Sequence, residues 1–444
     1  MWNSIKNIGY LATPIMMSYG VAMLFSLVDT LYAGILGGYA ITAISYFVPL
    51  EFIFLGVYVG AQSACTVYFS RSLGANNMFD LKEYYAAAKR LIQYLAIGMV
   101  ILFFLVFFAT FFLPFSENVL HGFRDYSLVR IVGMILFMLP MIVINAVLRS
   151  HRKMRQTMNS QVIGNIGNII LNTIFVFVFH WGIFGIAFAT LLAQGISLFI
   201  AYGYVKEFPD FIEIISTKVQ LQKEYFKQLV SLTFLSGFRD LLIAGEMFVV
   251  TLILTTLSED AVGANGILFR YGGFAIIPLI GTFTTMNTVF GYHLGKKDYE
   301  SIRMDMKAAN IFTIAVMLFI FFPLYYFFDD FMVRVITDSE NIAQYTITAL
   351  KYIPLIFIVL TPFMIFHSFA QTLHNKSMLI NIPLIRYIIL SIPCMYIANK
   401  VFGFIGLTII APITLNLIAD SIYYFRYKKW VQKAFSQPVP KIVT

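Results

Sequence analysis

Twelve apolar runs, each about 20 residues long, constrain this chain more than any other feature. They begin near residues 8, 43, 88, 127, 158, 184, 228, 261, 308, 347, 377 and 404. A helix of this length crosses the hydrocarbon core of a bilayer and satisfies all of its own backbone polar groups there. Only 12% of the 444 residues are charged, whereas soluble proteins average about 25%. We therefore predict an all-α polytopic membrane protein with twelve transmembrane helices.

The basic residues predict the orientation of these helices. Most of the 31 Lys and Arg residues fall in every second loop or in the terminal segments. The opposite loops are predicted to hold only Arg124, Arg130, Arg334 and Lys400. Basic loops stay in the cytoplasm, so we expect both termini there and the protein in an inner or plasma membrane. Because the charge is spread over many loops, it argues against a nucleic-acid surface.

The chain also repeats itself at an offset of 221 residues. This shift places Gly60 on Gly281, Gly182 on Gly403 and Gly185 on Gly406. Six helices separate the copies, so both halves have the same orientation, as in transporters built from parallel repeats. We predict two pseudo-symmetric six-helix bundles that enclose a cleft and support alternating access. The predicted parts are an N-lobe (1–206), a cytoplasmic linker (207–226), a C-lobe (227–430) and a cytoplasmic tail (431–444).

Two carboxylates stand out because they lie deep in apolar runs. Asp29 in "LFSLVDTLYAGI" lies about 20 residues, or about 30 Å, into the first run. Glu246 in "LLIAGEMFVV" lies at a similar depth in the seventh run, about one turn from the position that repeats Asp29. A charge within a span is costly and marks a functional site by default. We interpret both as proton or cation sites, Asp29 as a candidate Na⁺ ligand, against the alternative of purely structural contacts.

Polar residues in the fifth and sixth runs offer partners for these carboxylates. Asn165, Asn168 and Asn172 follow spacings of three and four, so they form one polar stripe along a helix. Amides in lipid need a partner across a helix interface or in a wet cavity. We predict that this stripe lines a cavity wall and that Thr190 joins it.

The remaining charges within spans are interpreted differently. For Arg239 and Asp240 we favour structural ion pairs with other helices over a place in the cleft. Arg270 lies in the same half as Glu246, and we consider it a candidate partner for that carboxylate. No phosphate-binding glycine loop, zinc spacing or paired nucleophile and base occurs. We expect no enzyme and no cofactor, and an ion gradient as the energy source.

Several stretches resemble one transporter family. In the first half they are "SLVDTLYAGILGGYAITAIS", "GVYVGAQSACTVYFSRSLGANN" and "NSQVIGNIGNIILNTIFVF" with "WGIFGIAFAT"; in the second they are "GEMFVVTLILTTL", "AVGANGILFRYG" and "TMNTVFGYHLGKKD". Their order and spacing are similar to those of multidrug and toxic compound extrusion (MATE) transporters of the multidrug/oligosaccharidyl-lipid/polysaccharide flippase superfamily. The resemblance covers nearly the whole chain.

The resemblance implies twelve helices in two lobes and export of organic, often cationic, compounds in exchange for H⁺ or Na⁺. Asp29 matches the first-helix aspartate of the family, and Asn168 and Thr190 match its N-lobe network by position. Asn172 stands where many members carry an acid. Glu246 matches the seventh-helix glutamate of one branch, whereas Phe363 replaces that branch's tenth-helix aspartate. The chain thus departs from both full carboxylate sets.

The leading hypothesis is therefore a cation-coupled exporter of small organic molecules that acts as a monomer in the lipid bilayer. A flippase for a lipid-linked oligosaccharide is the second hypothesis, since its cleft needs more cationic residues than the spans supply. A passive channel or a non-transporting receptor is the third hypothesis. It predicts no dependence of flux on a pH or Na⁺ gradient. Neither the substrate nor the choice between H⁺ and Na⁺ follows from the sequence.

Overall fold

The computed structural model describes residues 1–109, 117–209, 211–212, 222–336 and 339–436. Within these ranges the chain forms helices joined by short turns and no β-strand, so the predicted all-α class is confirmed. The first six helices are α1 (Trp2–Leu36), α2 (Gly38–Gly74), α3 (Met78–Ala109), α4 (Glu117–Ser150), α5 (Met154–Val178) and α6 (Gly182–Val205).

In the second half, long helices alternate with several short ones. They are α7 (Lys223–Thr255), α8 (Glu259–Ala275), α9 (Ile277–Gly295), α10 (Tyr299–Phe327), α11 (Asp329–Arg334), α12 (Glu340–Leu350), α13 (Ile353–Thr372), α14 (Lys376–Leu384), α15 (Ser391–Ile405) and α16 (Ala411–Ser436). Single π-helical turns follow α14 at Ile385–Ile389 and end α5 at Ile174–Val178. Such turns often occur at functional sites, and these two carry or border Arg386 and Asn172.

Nine helices in the described ranges are long and apolar enough to cross a membrane. The pair Asp260–Ala275 and Ile277–Gly295, bent by 44°, makes a tenth if it is one span. The last of the nine, Lys376–Ile422, contains the eleventh and twelfth predicted runs, and its backbone breaks at Gly403. The polytopic class is therefore confirmed, whereas the number of twelve spans stays a prediction.

The turns bear out the internal repeat. Gly182 and Gly403 occupy equivalent positions, and their φ angles of +56° and +60° lie in the left-handed region that glycine adopts without a steric cost. Asn77 accepts a hydrogen bond from the backbone N–H of Asp80 at 3.1 Å. Asp298, 221 positions later, accepts from the N–H of Ser301 at the same 3.1 Å. The helices α3 and α10 therefore begin with equivalent N-cap hydrogen bonds, from Asn77 in the first half and Asp298 in the second.

Contacts divide the chain into two compact units. One is Met17–Gly237, and the other joins Met1–Met16 to Phe238–Thr444. The boundary between the units falls within helix α1, after Met16. Met16 belongs with the later residues because its backbone packs against Gly281, where a Cβ atom would lie 3.1 Å from the Met16 nitrogen. The predicted lobes and linker were defined by topology and not by contacts, and they stay a prediction. Most of the linker lies outside the described residues.

Candidate functional site

Asp29 lies against the polar stripe of α5. The amide Nδ2 of Asn172 donates to Asp29 Oδ1 at 2.6 Å, and Asn172 is fully buried. Three residues beyond Asp29 on α1, the Tyr32 hydroxyl lies 2.7 Å from Thr173 Oγ1, which follows Asn172 on α5. Two polar contacts thus join α1 to α5 at the end of α5 that carries the π turn.

Asn168 lies between Asp29 and Thr190. One end of its amide is 3.0 Å from Asp29 Oδ1, and the other is 3.3 Å from Thr190 Oγ1 on α6. With the NH₂ group toward Asp29, the carboxylate accepts from two amides, which suits its ionised form. With the carbonyl toward Asp29, the carboxyl must itself donate, which suits its protonated form. The predicted grouping of Asp29, Asn168, Asn172 and Thr190 is present in the structure.

Close packing of α5 against α6 holds this group together. Gly164 lies one turn before Asn168, and a Cβ atom added there would meet the Ala193 carbonyl oxygen at 2.8 Å. Only glycine permits this approach. Gly164 and Asn168 therefore lie on the side of α5 that packs against α6, and Asn172 follows one turn later.

A partly buried ion pair that was not predicted from the sequence lies near Asp29. Arg130 on α4 forms a salt bridge with Glu51 on α2. Arg130 and Glu51 both interact electrostatically with Asp29, and so does Tyr126 on α4. The prediction that Arg130 lies in an outer loop was wrong, because this side chain is buried within a helix. The sequence signal for this pair was the occurrence of opposite charges, Glu51 and Arg130, in two different apolar runs.

Glu246 is bound in a different way. Its Oε1 accepts from Arg386 Nη1 at 2.6 Å and from the Ser391 hydroxyl at 2.7 Å. Arg386 Nε donates to Asn416 Oδ1 at 2.9 Å. The prediction that Arg270 pairs with Glu246 was wrong, since Arg270 is exposed and Arg386 takes that place.

Arg239 and Asp240 pair with each other. Arg239 Nη2 lies 2.7 Å and Nε lies 3.0 Å from Asp240 Oδ1. The guanidinium also lies over the Phe283 ring, 4.9 Å from its centroid, and donates to Met364 Sδ at 3.4 Å. The favoured pairing of Asp240 with another helix was therefore wrong, because a bent Arg side chain reaches the adjacent carboxylate within α7.

One sequence-family profile matches this chain in two ranges. The MatE profile matches residues 14–174 and 236–397, which together span most of the chain and fall in both halves. The chain belongs to the MatE family.

Curated relatives of this MatE-family chain are distant but extensive. A probable multidrug resistance protein, YpnP of Bacillus subtilis, is 23% identical over 297 residues, 66% of each chain. An FAD transporter of Shewanella oneidensis is 22% identical and aligns over 90% of this chain and 89% of its own length. The multidrug export protein MepA of Staphylococcus aureus (strain COL) is 22% identical over 94% of this chain and 91% of its own.

Solved structures share the fold. The Vibrio cholerae MATE transporter VcmN in its bent form superposes with a TM-score of 0.87 at 22% identity, over 97% of this chain and 98% of that one. A superfamily transporter from Pyrococcus furiosus, described as having a binding pocket of reverse polarity, gives 0.85 at 21% identity, over 98% and 97%. At these identities the likeness concerns the fold alone.

Phe363, which the resemblance places at the position of a tenth-helix aspartate, lies on α13. Phe363 is fully buried there and stacks on His367 at 6.1 Å between ring centroids. Among the described residues, no three His, Cys, Asp or Glu side chains converge as a metal site would require.

Proposed function

We propose that this protein is a secondary active exporter of small organic compounds, often cationic, that exchanges them for H⁺ or Na⁺ by alternating access. Membership of the MatE family and relatives named for multidrug export or resistance support this function. We place it in the inner or plasma membrane as a monomer, with both termini in the cytoplasm, and assign it no enzymatic activity and no cofactor. The relative named as an FAD transporter makes an anionic dinucleotide a second substrate class to test.

Asp29 is the group that takes up the coupling cation in this proposal. A carboxylate within a membrane span is costly unless neutral groups or a cation stabilise it. Each hydrogen bond to a charged group contributes about 1.5–3 kcal/mol, so the amides of Asn172 and Asn168 hold the ionised form ready. Asp29 contacts two amides and forms no salt bridge among the described residues, and this observation carries the proposal.

Both candidate cations fit the site chemically. A proton on Asp29 is accommodated by turning the Asn168 amide, whose carbonyl then accepts from the carboxyl. For Na⁺, the oxygen donors are the Asp29 carboxylate, the Asn168 and Asn172 amides and the Thr190 hydroxyl. Glu51 and Arg130 lie close by as a neutral pair, so they add no net charge.

The lipid-linked oligosaccharide flippase remains the second hypothesis. It requires basic side chains that are available to bind a pyrophosphate group. In the described residues, Arg130, Arg239 and Arg386 are each bound to a carboxylate. Accumulation of a lipid-linked precursor in a deletion strain, without a change in drug sensitivity, would favour the flippase.

Purified protein in liposomes tests the exporter. A panel of organic cations, with FAD as the anionic probe, is loaded, and ΔpH and ΔNa⁺ are imposed separately. We expect one gradient to drive export, and Asp29→Asn to abolish that dependence. Asp125→Asn, which changes an exposed carboxylate on α4 in the same way, serves as the matched control. Flux that ignores both gradients in the wild type contradicts the proposal and favours a passive channel.

A further inference from the structure

The second half of the chain contains an oxygen cluster that resembles a cation site in its chemistry. Glu246 Oε1 on α7 and Asn416 Oδ1 on α16 both accept from one guanidinium, and the Ser391 hydroxyl on α15 donates to the same Glu246 Oε1. Carboxylate, hydroxyl and amide oxygens are the donors that hard monovalent and divalent cations prefer. The guanidinium of Arg386 bridges this cluster, because its Nη1 donates to Glu246 and its Nε donates to Asn416.

Arg386 cannot leave or lose its charge in the way a coupling cation must. The guanidinium of arginine stays protonated at every physiological pH. Its side chain is 5% exposed, that of Glu246 is 12% exposed, and the Tyr387 ring covers the guanidinium at 4.3 Å. Arg386 lies within the π turn Ile385–Ile389.

We propose that Arg386 is a tethered counter-ion that permanently fills an oxygen-lined cation site on Glu246, so that the second half holds no exchangeable coupling cation. This inference rests on the proposed function, because it assigns cation exchange to Asp29 alone. The contrast between the halves carries it: the amides bound to Asp29 are neutral, whereas the partner of Glu246 is a cation.

The groups around Arg386 and Glu246 are consistent with a cation site that Arg386 occupies permanently. Asp420 on α16 interacts electrostatically with Arg386, and removal of Arg386 leaves the Glu246 carboxylate without its cationic partner. Asp240 is bound by Arg239 and supplies no free carboxylate to the cluster. Phe363 and Tyr387 lie in an edge-to-face pair, 6.4 Å between centroids, so aromatic rings pack beside Arg386. Loss of Arg386 should therefore expose a vacant site with oxygen ligands and an unbalanced negative charge.

Sodium-dependent thermal melting of the purified full-length protein tests this proposal. Each variant is melted in NaCl and in choline chloride at equal ionic strength. Arg386→Gln should gain a sodium-specific rise in melting temperature of roughly 2–4 °C. Arg239→Gln is the matched control, because it also removes a buried arginine from a carboxylate, and this arginine additionally binds the thioether sulfur of Met364. The double variant Glu246→Gln/Arg386→Gln should lose the gain.

The same assay remains decisive if Arg386→Gln does not fold. In Asp29→Asn, with Arg386 intact, we expect no sodium-specific or pH-specific ligand shift from the second half. A sodium-specific shift that persists in Asp29→Asn and disappears in Asp29→Asn/Glu246→Gln would overturn the proposal. So would a well-folded Arg386→Gln protein that shows no sodium response. Melting needs no transport, so these results are independent of whether the chain exports a compound.

Discussion

Replacing Gly164 by alanine tests whether close contact of α5 and α6 builds the site. A Cβ atom there would lie 1.8 Å from Ser197 Oγ and 2.8 Å from the Ala193 carbonyl oxygen. The Ser197 side chain can rotate away, but the Ala193 oxygen belongs to the backbone. Its distance from the new Cβ must reach at least 3.4 Å for ordinary van der Waals contact, so the two helices must separate.

The expected cost follows from two opposing effects. Alanine stabilises a helix interior by about 0.5–1 kcal/mol relative to glycine, whereas overpacking costs about 1–3 kcal/mol. Gly203→Ala on α6 is the matched control, because a Cβ atom at Gly203 has no neighbour within 4 Å. We expect Gly164→Ala to be less stable than Gly203→Ala by about 1–3 kcal/mol, the overpacking cost itself.

Thermal melting of both purified variants gives the comparison, and gradient-driven export gives a second reading. Separation of α5 and α6 should lengthen the 3.3 Å contact between Asn168 and Thr190 and weaken coupling in Gly164→Ala alone. Gly164→Ala/Ser197→Ala should recover only part of the stability, because the backbone contact remains. If Gly164→Ala melts at or above the temperature of Gly203→Ala, the argument from helix contact is refuted.

Two further perturbations test the site and the repeat. Asn172→Asp places a second carboxylate beside Asp29, so we expect tighter binding of the coupling cation and slower release; equal apparent cation affinity in export assays would contradict this. A hydrogen bond from the Ser301 side chain lowers the pKa of Asp298, so its stabilising effect is full above the usual carboxylate range and is lost as the pH falls through the lowered pKa. Asp298→Ala should cost about 0.5–2 kcal/mol near neutral pH, and Asp298→Asn, which copies the Asn77 cap of the first half, should keep the stability but lose this acid dependence in melting curves; identical acid sensitivity in the wild type and Asp298→Asn would count against it.

Helical class, repeat and the polar stripe could be read from the sequence because each depends on local periodicity. Spacings of three and four place Asn168 and Asn172 on one side of a helix whatever its neighbours are. The glycines of the turns fix backbone conformation locally, as the positive φ angles of Gly182 and Gly403 illustrate. Depth along a helix and the identity of its polar side were therefore predictable.

Partners across helices were not predictable, because the sequence gives neither the rotation of a helix nor its neighbours. Arg386, which lies in the π turn Ile385–Ile389, reaches Glu246, whereas Arg270 is exposed. Arg130 was assigned to a loop by its place near the start of a run, yet a salt bridge to Glu51 makes its burial tolerable. Both errors concern arginines, whose long side chains choose partners that only packing reveals.

Substrate exchange and gradient-driven export, compared in Asp29→Asn liposomes, test the central claim most directly. Exchange of labelled for unlabelled substrate needs a folded binding site but no coupling cation, whereas accumulation against a gradient needs both. The claim that Asp29 takes up the coupling cation predicts that exchange persists in this variant while accumulation driven by ΔpH or ΔNa⁺ is lost. Accumulation at the wild-type level in Asp29→Asn would contradict it.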